Sequence, residues 1–281
     1  MKAELMDLIA NVWRVLNQNV HWMSWNLFLA FVPLDLSISL FLKARVRSNT
    51  EATSQRARGA IAHWAWRLRF LIFLVFLPNA LYVLTSAHLL AVLPLGLSAW
   101  LFYRGRARSL AWWLGFLIFF AFLPNAPYVL TDVIHLIADI RDINSVWMIT
   151  LVVLPVYLLF TLAGFEAYVL SLINLGYYLN RIGRSQWILA AELITHALSA
   201  IGIYLGRFLR FNSWDFITQP DALLTSVVED VLGRLPLAII AITFAIVAIL
   251  YWIMKRATIG MFVSRRNAIA PYQQQGKIDT L

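Results

Sequence analysis

The residues of this chain whose types and spacing could do chemistry fall into three groups. The first follows the string Leu123-Pro124-Asn125-Ala126-Pro127-Tyr128 and comprises Thr131, Asp132, His135, Asp139, Arg141 and Asp142. Asp132, His135 and Asp139 are spaced i, i+3 and i+7, which places them on one face of a helix. Histidine changes charge near neutral pH, and an aspartate can orient it or share a metal with it. The pattern suits acid–base chemistry or metal binding, and it is equally the composition of a solvated interfacial face. The second group is Tyr204-Leu205-Gly206-Arg207-Phe208-Leu209-Arg210-Phe211-Asn212-Ser213-Trp214-Asp215. Its spacing stacks Arg207 and Arg210 on one helical face. A planar guanidinium fork is the usual means of holding a carboxylate or phosphate, although plain snorkelling would also put arginines there.

The third group is buried in apolar sequence: Asp35, Glu166 and Glu192, with His196 one turn beyond Glu192 on the same face. Ionisable groups within a membrane are costly and mark a functional site by default. The three acids could carry protons, or they could be hydrogen-bonded groups that fix helix packing. Glu192 and His196 would need further ligands to hold a metal, so the sequence specifies neither a metal nor a cofactor. HExxH, P-loop, G-x-S-x-G and Rossmann patterns are absent. So is cysteine, which excludes thiolate chemistry and disulfides.

The elements that must position these residues are membrane helices. Of 281 residues, 61% are hydrophobic and 13% charged, against about a quarter charged in soluble domains. The net charge of +9 resides in basic clusters between apolar segments, which marks membrane loops and not a nucleic-acid surface. At about 20 residues per span, the chain reads as a single all-α domain with seven spans: 25–42, 70–85, 87–103, 110–130, 146–173, 187–209 and 235–254. The apolar run from Phe70 to Tyr103 would reach about 51 Å as one helix, so it is divided near Ser86. The first segment lacks a small-residue cleavage site and is expected to be retained.

Charge orients this arrangement. Lys43–Arg69, Arg104–Arg108, Arg181 with Arg184, and Lys255–Lys277 hold 17 of the 23 Lys/Arg residues and fall on one side. Cytoplasmic loops carry such an excess, so the N-terminus is expected outside and the C-terminus inside. Counted from the cytoplasmic ends, Asp35, Glu166 and Glu192 lie at one depth, about 8–11 Å. The two polar motifs lie together at the outer boundary, where ion pairs between them are expected.

An internal repeat runs through the second and fourth spans. FLIFLVFLPNALYVLTSAHLL at 70–90 aligns with FLIFFAFLPNAPYVLTDVIHL at 116–136, with FLIF, FLPNA and YVLT shared. One span separates the copies, so the repeat is parallel, an arrangement that often brackets a central site. A duplicated hairpin kept for packing has the same signature. Each LPNA proline removes a helix hydrogen bond, and the adjacent asparagine amide is placed to satisfy a freed carbonyl. The first copy has Ser86 and Leu89 where the second has Asp132 and His135, so packing of the repeat does not demand the acid and histidine. Gly202 and Gly206, with Thr195 and Ser199, form a small-residue face suited to close helix contact.

FLPNAPYVLTDVIHL, YLGRFLRFNSWD and the segment beginning Asn26-Leu27-Phe28 resemble a family of bacterial multi-pass membrane proteins classed only as a domain of unknown function. The resemblance covers most of the chain and implies no activity. Its motifs coincide with Pro124, Asn125, Tyr128, Thr131, Asp132 and His135, and with Gly206, Arg207, Arg210, Asn212, Ser213 and Asp215. The outer candidates are thus Asn125, Tyr128, Asp132, His135, Arg207, Arg210, Asn212 and Asp215, and the intramembrane candidates Asp35, Glu166, Glu192 and His196.

Three functions compete. One is binding or transport of a small anionic or zwitterionic solute, captured outside by the arginines and coupled to protons through the inner acids. It requires a polar cavity joining the two levels. Another is a bacterial inner-membrane enzyme acting on a lipid-linked or extracytoplasmic substrate, which requires Asp132, His135 and Asp215 to converge. The third is a structural or assembly subunit docking other membrane subunits. The bilayer is the partner common to all three.

Overall fold

The computed structural model describes residues 2–42, 66–76, 92–103, 109–143, 145–210, 221 and 234–278, and these are helical with short connections. Helix α1 spans Lys2–Ser37, carries Pro33, and continues as a π turn over Ile38–Leu42. Helix α2 covers 66–76 and α3 Leu93–Tyr103. Helix α4, Leu110–Phe122, starts at Ser109, whose hydroxyl accepts from the Trp112 amide. A one-turn helix α5 (Asn125–Tyr128), a 3-10 turn (Val129–Asp132) and α6 (Val133–Asp142) follow. The short α7 (Val146–Met148) and a π turn (Ile149–Val153) lead into α8, Leu154–Arg181. Helix α9 is Ile188–Arg207 and α10 is Arg234–Ile278.

The break between α4 and α5 follows from proline chemistry. Pro124 and Pro127 bring no amide protons, and the Ala126 amide turns to Leu123 O. Phe122 O is thereby left to the Asn125 side-chain amide, which donates to it at 3.0 Å. The π turn before α8 ends two residues short of Pro155, which likewise brings no amide proton.

Side-chain partners give each helix its direction. Along α1, Asp35 meets Arg69 and Phe28 meets Phe76, so α1 and α2 are antiparallel. Trp112 meets Leu40 and Asp132 meets Asn26, so α4–α6 also oppose α1. Helix α8 runs with α1, because Asn19 meets Tyr157 and Ser37 meets Asn174. Helix α9 opposes α8, with His196 on Tyr168 and Ile188 against Gly176. Helix α10 opposes α9, with Lys255 on Glu192 and Tyr251 on His196. Successive long segments therefore alternate in direction.

Among the described residues, five helical stretches are long and apolar enough to cross a membrane: Ala10–Leu42, Leu110–Asp142, Val146–Arg181, Ser185–Arg207 and Arg234–Met261. Leu93–Tyr103 is a shorter apolar helix. Two of the expected segments are considerably longer as helices. α1 begins at Lys2 and not near Trp25, and α10 continues 24 residues past Met254. Polar residues end a hydrophobic span without ending a helix, because Glu, Lys, Gln and Arg are good helix formers. The first repeat copy from residue 77 onward lies outside the described residues.

A core of Phe28, Val32, Leu36, Phe41, Phe119 and Leu172 fills the bundle centre. Large apolar side chains cover its outside, among them Leu110, Trp147, Leu159, Leu189 and Leu235. A surface of this kind is stable against hydrocarbon, not water. The chain is an integral membrane protein.

Candidate functional site

Two polar layers lie within the bundle, one around Asp132 and one around Asp35. The Asp132 layer is a ladder between α1 and the α5–α6 segment. Asn26 donates to Asp132 Oδ2 at 2.9 Å, and Asn19 donates to Asp139 Oδ2 at 2.7 Å. Both the asparagines and the aspartates are seven residues apart, so the rungs sit about 10.5 Å apart along antiparallel helices. Between them the His135 ring stacks on Trp22 at 4.6 Å, and the Trp22 indole donates to Asn19 Oδ1. Tyr157 OH donates to Asp139 Oδ2 at 3.0 Å.

Arg207 closes the ladder from α9. Its Nη2 lies 2.6 Å from Asp132 Oδ1, and Nε and Nη2 both donate to Thr131 Oγ1. The guanidinium carbon stands 4.6 Å from the centre of the Tyr128 ring, a cation–π geometry. Asp132 is 2% exposed and Arg207 19%. The broken segment is what brings Tyr128, Thr131 and Asp132 onto one guanidinium. It is seated by two glycines. A Cβ on Gly202 would come within 2.8 Å of Pro124, and one on Gly164 within 2.8 Å of Val129. Neither a proline ring nor a β-branched side chain can swing aside. The small-residue face of α9 is thus filled by the LPNA proline, a direct joint between the two sequence motifs.

The Asp35 layer consists of separate closed pairs. Asp35, fully buried, lies 3.0 Å from Arg69 Nε, and Arg69 Nη2 also donates to Ser39 and Ser98. Glu192 accepts from Lys255 and from Tyr251 OH through the same oxygen. Thr258 donates to Glu166 at 2.8 Å. His196 shares a 2.7 Å hydrogen bond with Tyr168 OH, which also accepts from Ser199 at 3.4 Å. Each acid has a partner on a different helix.

Packed apolar side chains separate the layers. On α1, Phe28, Ala30 and Val32 are buried between Asn26 and Asp35. Facing them are Phe119, Leu123, Ala126, Phe165 and Val169, all buried. On α9 the buried polar residues stop at Ser199; Ala200, Ile203 and the Pro124–Gly202 contact follow before Arg207. No polar cavity links the layers among the described residues.

Several candidates part company. Arg210 does not stack on Arg207: the helix ends at Arg207, and Arg210 stands exposed in left-handed backbone at φ 60°. His135 is exposed on Trp22 and forms no hydrogen bond with Asp132. The Asn125 amide serves the Phe122 carbonyl. Asn212 and Asp215 lie outside the described residues, as does the convergence expected of Asp215. No group of three or more His, Cys, Asp or Glu residues that could hold a metal occurs among the described residues. The partners Asn19, Trp22, Tyr157, Arg69, Lys255 and Thr258 were missed by sequence reasoning. Only the basic pair had a signal, Arg69 just before the apolar segment 70–85 and Lys255 just after 235–254.

Apolar helices of spanning length around buried ion pairs define a polytopic helical membrane protein. The chain belongs to the family described as protein of unknown function (DUF1361), whose model matches residues 25–89 and 87–249. No curated protein and no solved structure matches the chain.

Proposed function

We propose that this protein captures an anionic or zwitterionic solute at the Asp132 layer, with Arg207 as the anion-binding group. The observation that carries this reading is the state of the Arg207 fork. Thr131, Asp132 and Tyr128 hold it from one side, while Nη1 makes no hydrogen bond among the described residues. The side chain keeps 19% of its surface exposed. A guanidinium ordered in advance loses little entropy when it takes an anion. The layer belongs to the extracytoplasmic side of a bacterial inner membrane in this reading, supported by the 17 basic residues assigned to the opposite loops. The alternating helix directions support the seven-span arrangement, N-terminus out and C-terminus in.

Binding without passage is the form the geometry favours. Proton-coupled transport needs a polar route to Asp35, Glu166 and Glu192, and the apolar packing between the layers opposes one. An enzyme built on Asp132 and His135 has less support, because the histidine is stacked on Trp22 and Asp132 is spent on Arg207 and Asn26. The test is a thermal-shift and calorimetric screen of the purified full-length protein with inorganic phosphate, succinate, glutamate and glycine. At least one should bind to wild type, and Arg207→Lys should weaken it about tenfold or more, through loss of the charge-assisted fork. Absence of any binder, or equal binding by Arg207→Lys, overturns the proposal.

A further inference from the structure

A groove of about 450 Å³ runs between α1, α2 and α8, following α1 from Trp13 to Leu27. Fourteen residue-to-residue rises make it about 21 Å long, and its volume is that of an ordinary small-molecule site. Its walls are apolar, with Val153 and Val156 near one end and Leu74 and Val75 near the other. Part-way along, Asn19 and Tyr157 line it, and both donate to Asp139 Oδ2, which lies behind them. Asp139, like Glu166, is paired across the bundle by neutral donors only among the described residues. Asp35, Asp132 and Glu192 each have a cationic partner within 4 Å. Among the described residues Asp139 has only the two neutral donors.

We propose that this groove binds a phospholipid with a primary-ammonium headgroup, phosphatidylethanolamine being the simplest, its ammonium on Asp139 and one acyl chain along the trough. A long, narrow, apolar trough fits a hydrocarbon chain better than a compact solute. A carboxylate without a counter-ion among the described residues, directly behind the lining residues Asn19 and Tyr157, selects a cation that can also donate hydrogen bonds. A choline headgroup has no N–H to give, and a glycerol phosphate headgroup brings net negative charge toward Asp139. Asn19 is the next rung along from Asn26, two turns away on the same ladder, but the site has no contact with Arg207 among the described residues, so it stands or falls apart from the solute reading.

The experiment is native mass spectrometry of the full-length protein in detergent, offered equal amounts of phosphatidylethanolamine and phosphatidylcholine with the same chains. Wild type should carry the ethanolamine lipid in about tenfold excess, the scale of one charge-assisted hydrogen bond. Asp139→Asn keeps an oxygen for Asn19 and Tyr157 and should erase the preference while still binding lipid. Val20→Trp, which fills the groove, should lower adducts of both lipids. Equal uptake of the two lipids by wild type overturns the proposal, and so does a preference that survives in Asp139→Asn. Should Asp139→Asn fail to fold, the wild-type ratio and the Val20→Trp loss still decide it.

Discussion

The Asp132 and Asp35 layers each bury an acid against a base, but they are finished to different degrees. In the Asp35 layer, Arg69 uses Nε on Asp35 and Nη2 on Ser39 and Ser98, and its guanidinium lies over Phe102. Like Arg207, it makes no hydrogen bond through Nη1 among the described residues and is 19% exposed. Glu192 takes both Lys255 and Tyr251. Asp35 and Glu192 each have a base beside them, although the buried Asp35 Oδ1 accepts no hydrogen bond among the described residues. In the Asp132 layer, Asp139 has two neutral donors and no counter-ion among the described residues. The difference separates ionic groups that hold helices together from groups with capacity left for a ligand. A buried charge is by itself weak evidence for function, since pairs of this kind also serve packing. Unspent capacity at a partly exposed group is better evidence.

The comparison predicts where the protein is most fragile. Arg69→Ala strands the Asp35 carboxylate at a fully buried position, and breaking a buried pair from one side costs about 3–5 kcal/mol. Thermal unfolding in detergent should show the largest loss of stability for this variant. Asp35→Asn with Arg69→Met, which removes both charges, should recover most of it. If Arg69→Ala unfolds near the wild-type temperature, the Asp35 layer is not the closed staple described above.

Next in size is the seat of the broken helix. Gly164→Ala and Gly202→Ala each push a methyl group into Val129 or Pro124, and overpacking of this kind costs about 1–3 kcal/mol. Because the α5 segment carries Tyr128, Thr131 and Asp132, both variants should also weaken anion binding at Arg207. Among the described residues no hydrogen bond or ion pair joins the Asp35–Arg69 pair to that segment, so the pair should be unaffected. Tryptophan fluorescence of unfolding, followed with and without the bound anion, separates the two effects.

Part of this was readable in the chain. The spacing of Asp132, His135 and Asp139 placed all three toward α1, and the asparagine of LPNA does satisfy a carbonyl left over at its own break. Arg207 and Asp132 meet because both motifs end at one level of the bundle. The rest was hidden for identifiable reasons. Tyr157 and Asn19 sit in sequence with no polar periodicity, and their pairing depends on α1 and α8 running side by side, 138 residues apart. Arg69 and Lys255 counted as loop charges, because a residue next to an apolar segment looks the same whether its side chain turns to water or back into the bundle. The Arg207–Arg210 stack assumed that the helix continued for three more residues, and it ends at Arg207.

A double-mutant cycle sharpens the comparison further. Asp132→Asn and Arg207→Met remove the same contact from either side, and residues in one network couple by about 0.5–3 kcal/mol. The coupling should be smaller than that of Asp35 with Arg69, because Asn26 still donates to the residue at 132. A coupling as large as the Asp35 pair would make the Asp132 layer a second staple and remove the reason for assigning it a ligand.

The smallest expected effect is the most discriminating one. Tyr157→Phe deletes a single neutral hydrogen bond to Asp139, worth about 1 kcal/mol. Were Asp139 a packing group only, that modest loss of stability would be the whole result. As half of a headgroup site, it acquires a second consequence. With one neutral donor gone, the carboxylate depends more on an ammonium, so phosphatidylethanolamine should stabilise Tyr157→Phe more than it stabilises wild type. Unfolding temperatures measured with that lipid and with phosphatidylcholine give the contrast directly. A Tyr157→Phe protein whose lipid dependence matches wild type returns Asp139 to the same class as Glu166, an acid satisfied by neutral neighbours with nothing further to bind.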